Sequence, residues 1–267
     1  MTARRVLGYG GAVLLAGWIL VPIWFVVVGA FSTADAIYGY PLAAWPDWSL
    51  ESMRFFVTSA GVPEALLSSV IVAVLTGVLT LLLAAPAGYA LARFVFPGAN
   101  AYRLTVLSTR AFPVVVLSIP LAVFFLQWGI YDSVWGVALM HTALALPFVV
   151  LMVSAVFAGV PVDLEEAAQV FGCSRSGAFR RAVVPNAAPG LAAAATFAVL
   201  LSYNEVFAAS ILTLQHPTLP VFVLTGLTQA PLPFRYAGAL FLLAPAFLFI
   251  LLIRRRLLGV GGGPTLR

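Results

Sequence analysis

Residues Pro161 to Pro185 read PVDLEEAAQVFGCSRSGAFRRAVVP, a polar stretch between two long apolar segments in a chain otherwise nearly devoid of charge. The stretch predicts two short helices meeting at a glycine. Asp163 is placed to cap a helix N-terminus, and Glu166, three residues on, to reach back as its capping-box partner. The segment Leu164 to Phe171 is short and rich in alanine, with Ala167, Ala168 and Phe171 at helical spacing on one side. Gly172 supplies a left-handed stop. Ser174 caps the second helix, Arg180 and Arg181 lie toward its C-terminal end where cations suit the dipole, and Pro185 ends it. Two such helices held against an apolar bundle would form a rigid knob, able to carry force between proteins.

The flanking sequence supplies the bundle. Of 267 residues, 63% are hydrophobic and 9% charged, with mean hydropathy +1.07, a surface no soluble domain of this length could cover. Six segments are long and apolar enough to cross a hydrocarbon core as helices, which takes about 20 residues each. They are Leu7–Phe31, Ala65–Ala92, Leu104–Leu126, Val134–Phe157, Gly190–Leu212 and Tyr236–Ile253. The alternation in pieces of about ten residues that marks a membrane barrel is absent. Arg4 and Arg5 before the first segment resemble the basic start of a signal peptide. The apolar run that follows exceeds the roughly 7–15 residues of a signal core, so it is read as retained. The expected fold is an all-α membrane protein of six transmembrane helices. Residues 1–63 hold the first helix and an outer segment, 64–258 a five-helix core carrying the 161–185 loop, and 259–267 a loose tail.

All 14 basic residues are arginines, and they sort by side. With the N-terminus inside, Arg4, Arg5, Arg93, Arg103, Arg175, Arg180, Arg181, Arg254, Arg255, Arg256 and Arg267 are cytoplasmic. Only Arg54 and Arg235 fall outside, and Arg110 lies within the third span. Such a bias predicts both termini and the 161–185 loop on the cytoplasmic side. The net charge of +5 therefore tracks topology rather than nucleic acid. A phosphate-cradling Walker A loop needs a lysine, and this chain has none. If ATP drives it, another polypeptide must hydrolyse the ATP. The single Cys173 excludes an internal disulfide or a cysteine zinc cage, and His141 and His216 lie too far apart in sequence to suggest a metal site.

The 161–185 stretch resembles the EAA loop of permease subunits of binding-protein-dependent ATP-binding-cassette importers. The family pattern is Glu-Ala-Ala, three residues, Gly, nine residues, Ile, one residue, Leu-Pro. Glu166-Ala167-Ala168 is followed at that distance by Gly172, and Pro185 falls in register, with Ala182 and Val184 at the Ile and Leu positions and Phe171 before the glycine. The turn Ala92-Arg93-Phe94-Val95-Phe96-Pro97-Gly98 and the run Tyr203-Asn204-Glu205 are similar to features of the carbohydrate-uptake branch, the maltose-type second permease. The resemblance implies a type I importer permease fold in a bacterial cytoplasmic membrane. It implies a second permease subunit, two ATP-binding subunits that carry ATP and Mg, and an extracytoplasmic solute-binding protein. It also implies that this chain holds no cofactor of its own. Glu165, Glu166, Ala167, Ala168, Gly172 and Pro185 would form the joint to the ATPase, and the cargo would be a sugar or sugar derivative.

Polar residues inside the spans are the remaining candidates, because an ionisable group there usually faces a cavity or a partner helix. Tyr203, Asn204 and Glu205 either shape a translocation pathway through hydrogen bonds to cargo, or lock the fifth helix to its neighbours. His141 carries the same two readings, and Ser118, between Pro113 and Pro120, is a further pathway candidate. Arg110 can snorkel to the interface. Between the first two spans, Tyr38, Tyr40, Trp45 and Trp48 mark either a membrane interface or a lip that touches a solute receptor. Two alternatives for the whole remain: the same machinery carrying a polyamine or phosphorylated polyol, or an ion-coupled secondary transporter with Glu205 as the proton-binding group.

Overall fold

The structure is a computed structural model that describes residues 3–41, 43–227 and 229–260, and every regular element among them is a helix. In chain order these are α1 (Ala3–Ala30), α2 (Ala34–Tyr38), α3 (Glu51–Thr58), α4 (Val62–Arg93), α5 (Ala99–Ser108), α6 (Val114–Gln127) and α7 (Val134–Ala158). There follow α8 (Val162–Val170), α9 (Arg175–Ala178), α10 (Val184–Tyr203), α11 (Phe207–Leu212), α12 (Leu219–Gly226) and α13 (Leu232–Val260). The tail expected from Gly259 onward lies, beyond Val260, outside the described residues. Five helical stretches can each cross a membrane by length and composition, and α5 with α6 makes a sixth as a bent pair. The six expected spans are all present, but two differ in form.

The third span is not straight. α5 runs through a 3-10 turn at Thr109–Ala111 and meets α6 at an angle of 88°. The cause is Pro113, whose ring drives the preceding residue out of the helical region. Phe112 is accordingly extended, at φ −76° and ψ 128°. The fifth span begins and ends earlier than Gly190–Leu212. Helix runs unbroken from Arg175 to Tyr203, and the chain then turns at Asn204 and restarts as α11.

Contacts group the chain into two units, Met1–Glu64 with Phe222–Pro245, and Ala65–Val221 with Ala246–Arg267. In the first, Phe56 is fully buried, its ring 4.8 Å from Phe234 and 5.1 Å from Phe241. Asp47 accepts from the amide (3.0 Å) and hydroxyl (2.7 Å) of Thr33, fixing the start of α2. Tyr38, Tyr40, Trp45 and Trp48 are all exposed, as either reading of them requires.

In the second unit α7 is the central helix, packed against α10 and α4 through Ala145, Val149, Val153 and Phe157 on one side and Ala187 and Ala194 on the other. Small residues let the backbones approach. A Cβ at Gly88 would lie 2.9 Å from the backbone nitrogen of Ser154, so only glycine fits between α4 and α7 there.

The turn before α7 is tied to the segment after α11 by one carboxylate. Asp132 accepts from the amides of Leu214 (2.8 Å), Gln215 (3.1 Å) and His216 (3.2 Å), and its own amide donates to Leu212 O at 3.1 Å. Burial alone would raise its pKa, but the three amides and the nearby His216 ring outweigh that and hold it below the usual value. A depressed carboxylate adds stability above its unfolded pKa, 3.8 here, that is lost as pH falls through the lowered folded value. Asp132→Asn should cost about 1–2 kcal/mol at neutral pH. It should also flatten the loss of thermal stability on acidification, read as Tm in detergent from neutral to acid pH.

Candidate functional site

The 161–185 stretch folds as an elbow. α8 starts directly after Pro161, so Asp163 already has helical backbone and cannot act as the N-cap expected of it; Pro161 occupies that position with no side-chain bond. Asp163 is instead an acidic residue in the first turn, where the dipole favours it. Gly172 stops the helix at φ +88°, and Ser174 caps α9, its hydroxyl accepting from Gly177 N at 3.2 Å.

Pro185 does not end this second helix. α9 continues through a π-helical turn, Phe179–Val183, straight into α10. A proline inside a helix lacks a donor and crowds the carbonyl one turn back. Here the turn is widened, with Val184 N bonded to Phe179 O, and Asn186 Nδ2 donates to Ala182 O at 2.8 Å. The elbow is thus one piece with the fifth span.

The candidate coupling residues divide by exposure. Glu166 and Ala167 face outward beside Val162, Leu164, Val170 and Phe171, the last two 85% and 89% exposed, which makes an apolar surface on α8. Ala168 is half-buried. Glu165 is buried, and two residues that sequence reasoning left out of the site hold it: the Tyr89 hydroxyl donates to Oε1 and Arg93 Nε to Oε2, the latter at 3.2 Å. Arg93 was legible as a topological charge and as part of the turn before Pro97, but not as a partner of Glu165, and no local pattern links Tyr89 to a carboxylate 76 residues away.

A second polar cluster sits at the break in the fifth span. His141, fully buried on α7, shares a 2.8 Å hydrogen bond with Ser202 Oγ through Nδ1, and Ser202 donates to Thr76 Oγ1 at 3.2 Å. Its Nε2 lies 3.2 Å from Glu205 Oε2, an ion-pair distance without hydrogen-bond alignment. The Glu205 carboxylate also accepts from the amides of Ala208 (3.0 Å) and Ala209 (3.1 Å), covering the first turn of α11. Asn204 bonds its own helix, Nδ2 to Leu200 O at 2.9 Å. Tyr203 is buried.

Asn204 and Glu205 also border a cavity of about 550 Å³ whose lining includes Arg110, Phe112 and Phe207. Its volume is that of a small-molecule site. Ser118 is not part of it: the residue is buried and its hydroxyl donates to Val114 O within α6 at 2.7 Å. Arg110, expected only to anchor, reaches from the bend to α7, donating to Leu144 O at 2.7 Å, with its guanidinium carbon 4.7 Å from the centre of the Phe148 ring. No three His, Cys, Asp or Glu among the described residues converge as a metal site requires.

Residues 52–257 match the family described as binding-protein-dependent transport system inner membrane component. The chain is 34% identical over 200 residues to the trehalose transport system permease protein SugB of Mycobacterium tuberculosis, covering 73% of each chain. It is 27% identical over 264 residues to the diacetylchitobiose uptake system permease protein DasC of Streptomyces coelicolor, covering 94% of each. Its fold is similar to a chain of a bacterial ABC transporter involved in the import of the acidic polysaccharide alginate. The TM-score is 0.75 at 18% identity, with 96% of this chain and 98% of that chain covered.

Truncating Glu205 to alanine should loosen α11 before anything else, since loss of a capping acceptor costs about 1–2 kcal/mol. Hydrogen exchange followed by mass spectrometry should show faster exchange across Phe207–Leu212 with protection of α7 unchanged. Unaltered exchange in α11 would remove the capping role.

Proposed function

The chain belongs to the binding-protein-dependent transport system inner membrane component family, and from that premise we propose that α8 is the joint through which a separate ATPase subunit moves it to import a sugar. It is a multi-pass inner membrane protein with a type I importer permease fold, the transport component of an ABC importer. That family membership removes the secondary-transporter alternative. ATPase and binding-protein partners come with the family. In the proposed assembly this chain pairs with a second permease subunit. Two ATP-binding subunits beneath them carry ATP and Mg and do the hydrolysis, and an external solute-binding protein delivers cargo. Both termini and the elbow face the cytoplasm in this arrangement, in keeping with the arginine distribution.

One observation carries the coupling reading: an outward apolar surface of Val162, Leu164, Val170 and Phe171 on a helix held stiffly from behind. Exposed large apolar side chains grouped on one short polar-rimmed element mark a protein contact rather than a water-facing loop. Small Ala167 permits close approach, and Glu166 offers a charge-assisted bond at the rim. Closure of the ATPases on ATP would shift this elbow, and with it the continuous Arg175–Tyr203 helix, turning the pathway outward; hydrolysis would return it. Such switching needs a bistable bundle and a stiff joint. Sugar cargo is inferred from the relatives, whose names record trehalose and diacetylchitobiose. The cavity beside Asn204 and Glu205 suits it, with amide and carboxylate edges for hydroxyls and the Phe112 and Phe207 rings for the apolar faces.

Gly172→Val places a β-branched residue at φ +88°, a strain of about 1–3 kcal/mol. Membrane insertion should be preserved, while the ATPase subunit recovered with the chain and solute uptake into vesicles should both fall. Normal uptake by this variant would overturn the coupling role. For the cargo, thermal-shift screening of the cognate binding protein should show stabilisation by mono- or oligosaccharides; a response to polyamines or phosphorylated polyols alone would overturn the sugar reading.

A further inference from the structure

Glu165 is the one carboxylate of α8 turned inward. It is 8% exposed, whereas Asp163 and Glu166 face solvent. A residue meant to meet a partner subunit would not be consumed by its own chain, yet both of its oxygens are. Tyr89 takes Oε1 and Arg93 takes Oε2, and these donors stand one helical turn apart on the last two turns of α4, so they grip the carboxylate from one helix face. Arg93 is itself doubly used, its Nη2 donating to Val160 O at 2.8 Å, where the chain leaves α7. The Tyr89 ring is fixed in turn, 5.6 Å from Phe157 on α7 and 4.6 Å from Phe179 in the π-helical turn. One small cluster therefore joins α4, the end of α7, α8 and the shaft below α10.

The energetics point to direction rather than stability. A buried ion pair contributes little net stability compared with apolar packing, because desolvation offsets its Coulomb attraction. Breaking one side of it leaves a buried charge unmatched. What such a pair does supply is geometry, since two directional bonds from a rigid helix fix both position and angle of the carboxylate. Without it, α8 would be connected through the turns at its two ends and through apolar contacts that can slide.

We propose that Tyr89 and Arg93 are positioning residues that clamp Glu165, so that displacement of α8 by the motor is delivered to α4 as well as to α10. This rests on the elbow being the docking element. The clamp makes α4 and α10 move as one body with the elbow, and loosening it lets the elbow move without the bundle. The functional consequence is uncoupling: ATP is hydrolysed while cargo stays outside.

The test uses the whole assembly, with its ATPase subunits and binding protein, reconstituted in vesicles, and reads ATP hydrolysed per solute imported. Tyr89→Phe removes a single hydroxyl and keeps the ring among its aromatic neighbours. Arg93→Lys keeps the charge but cannot hold both Glu165 and Val160 O. Each should raise the ratio at least about fivefold, the lower end of measured site-to-site coupling, with the ATPase subunit still present at wild-type stoichiometry. A wild-type ratio in either assembled variant overturns the clamp, and so does loss of assembly in both, which would make the cluster purely structural. Failure of the unmodified chain to retain the ATPase subunit would instead remove the docking reading on which the clamp depends.

Discussion

A backbone amide or carbonyl left open inside a bilayer has no water to turn to, so each break in a spanning helix must be repaired by the protein itself. Among the described residues the spans break in two places, and at the second of them the repair is visible. At the bend between α5 and α6, Arg110 ties the break to α7 through Leu144 O. At the end of α10, Glu205 takes the first amides of α11, and Asn204 Nδ2 adds a second bond to Leu200 O, which already accepts from the Asn204 amide. The costly polar residues of the membrane interior are thus concentrated where the helices fail, and the cavity beside Asn204 and Glu205 lies between the two failures.

That placement joins two readings of Glu205 that looked exclusive. The carboxylate is a structural acceptor for α11 and stands beside His141, and the same residue borders the open cavity. A side chain fixed by capping presents a defined polar edge to whatever enters. In the proposed pathway, rigidity and cargo contact would then have one source. His141 does the same from behind: wholly buried, it holds Ser202 and through it Thr76, so that the wall of the break is built from three helices.

How much could be read beforehand varied with the kind of signal. Long apolar runs made the spans visible, and the spacing from Glu166 through Gly172 to Pro185 made the elbow visible. Boundaries were harder, because in segments apolar all round there is no face whose periodicity would reveal a break. The 88° bend left hydropathy untouched, although Pro113 was there to announce it. Pro185 misled in the opposite direction: a proline is read as a stop, but a widened turn absorbed it. The Tyr89–Glu165–Arg93 cluster was out of reach, since its partners lie far apart in sequence and only the packing of α4 against α8 brings them together. Short α2 and α12 fell among prolines and aromatics that carry no helical rhythm, whereas α3 has an apolar face at helical spacing, with Ser52 and Phe56 buried, that went unread.

The widened turn at Phe179–Val183 has a geometric meaning of its own. Along this continuous shaft the inward-facing residues from Ala178 onward include Val183, Ala187, Leu191, Ala194 and Ala198, so the first interval is five residues where the next ones are the three or four of an ordinary helix. In an ordinary helix each residue turns the chain by about 100°, and one extra residue resets the azimuth of everything below it. The elbow's bearing around the shaft is therefore encoded as a surplus of one residue within the interval from Gly172 to Pro185. Removing that residue would leave a regular helix with the exposed face of α8 aimed at a different quarter of the compass.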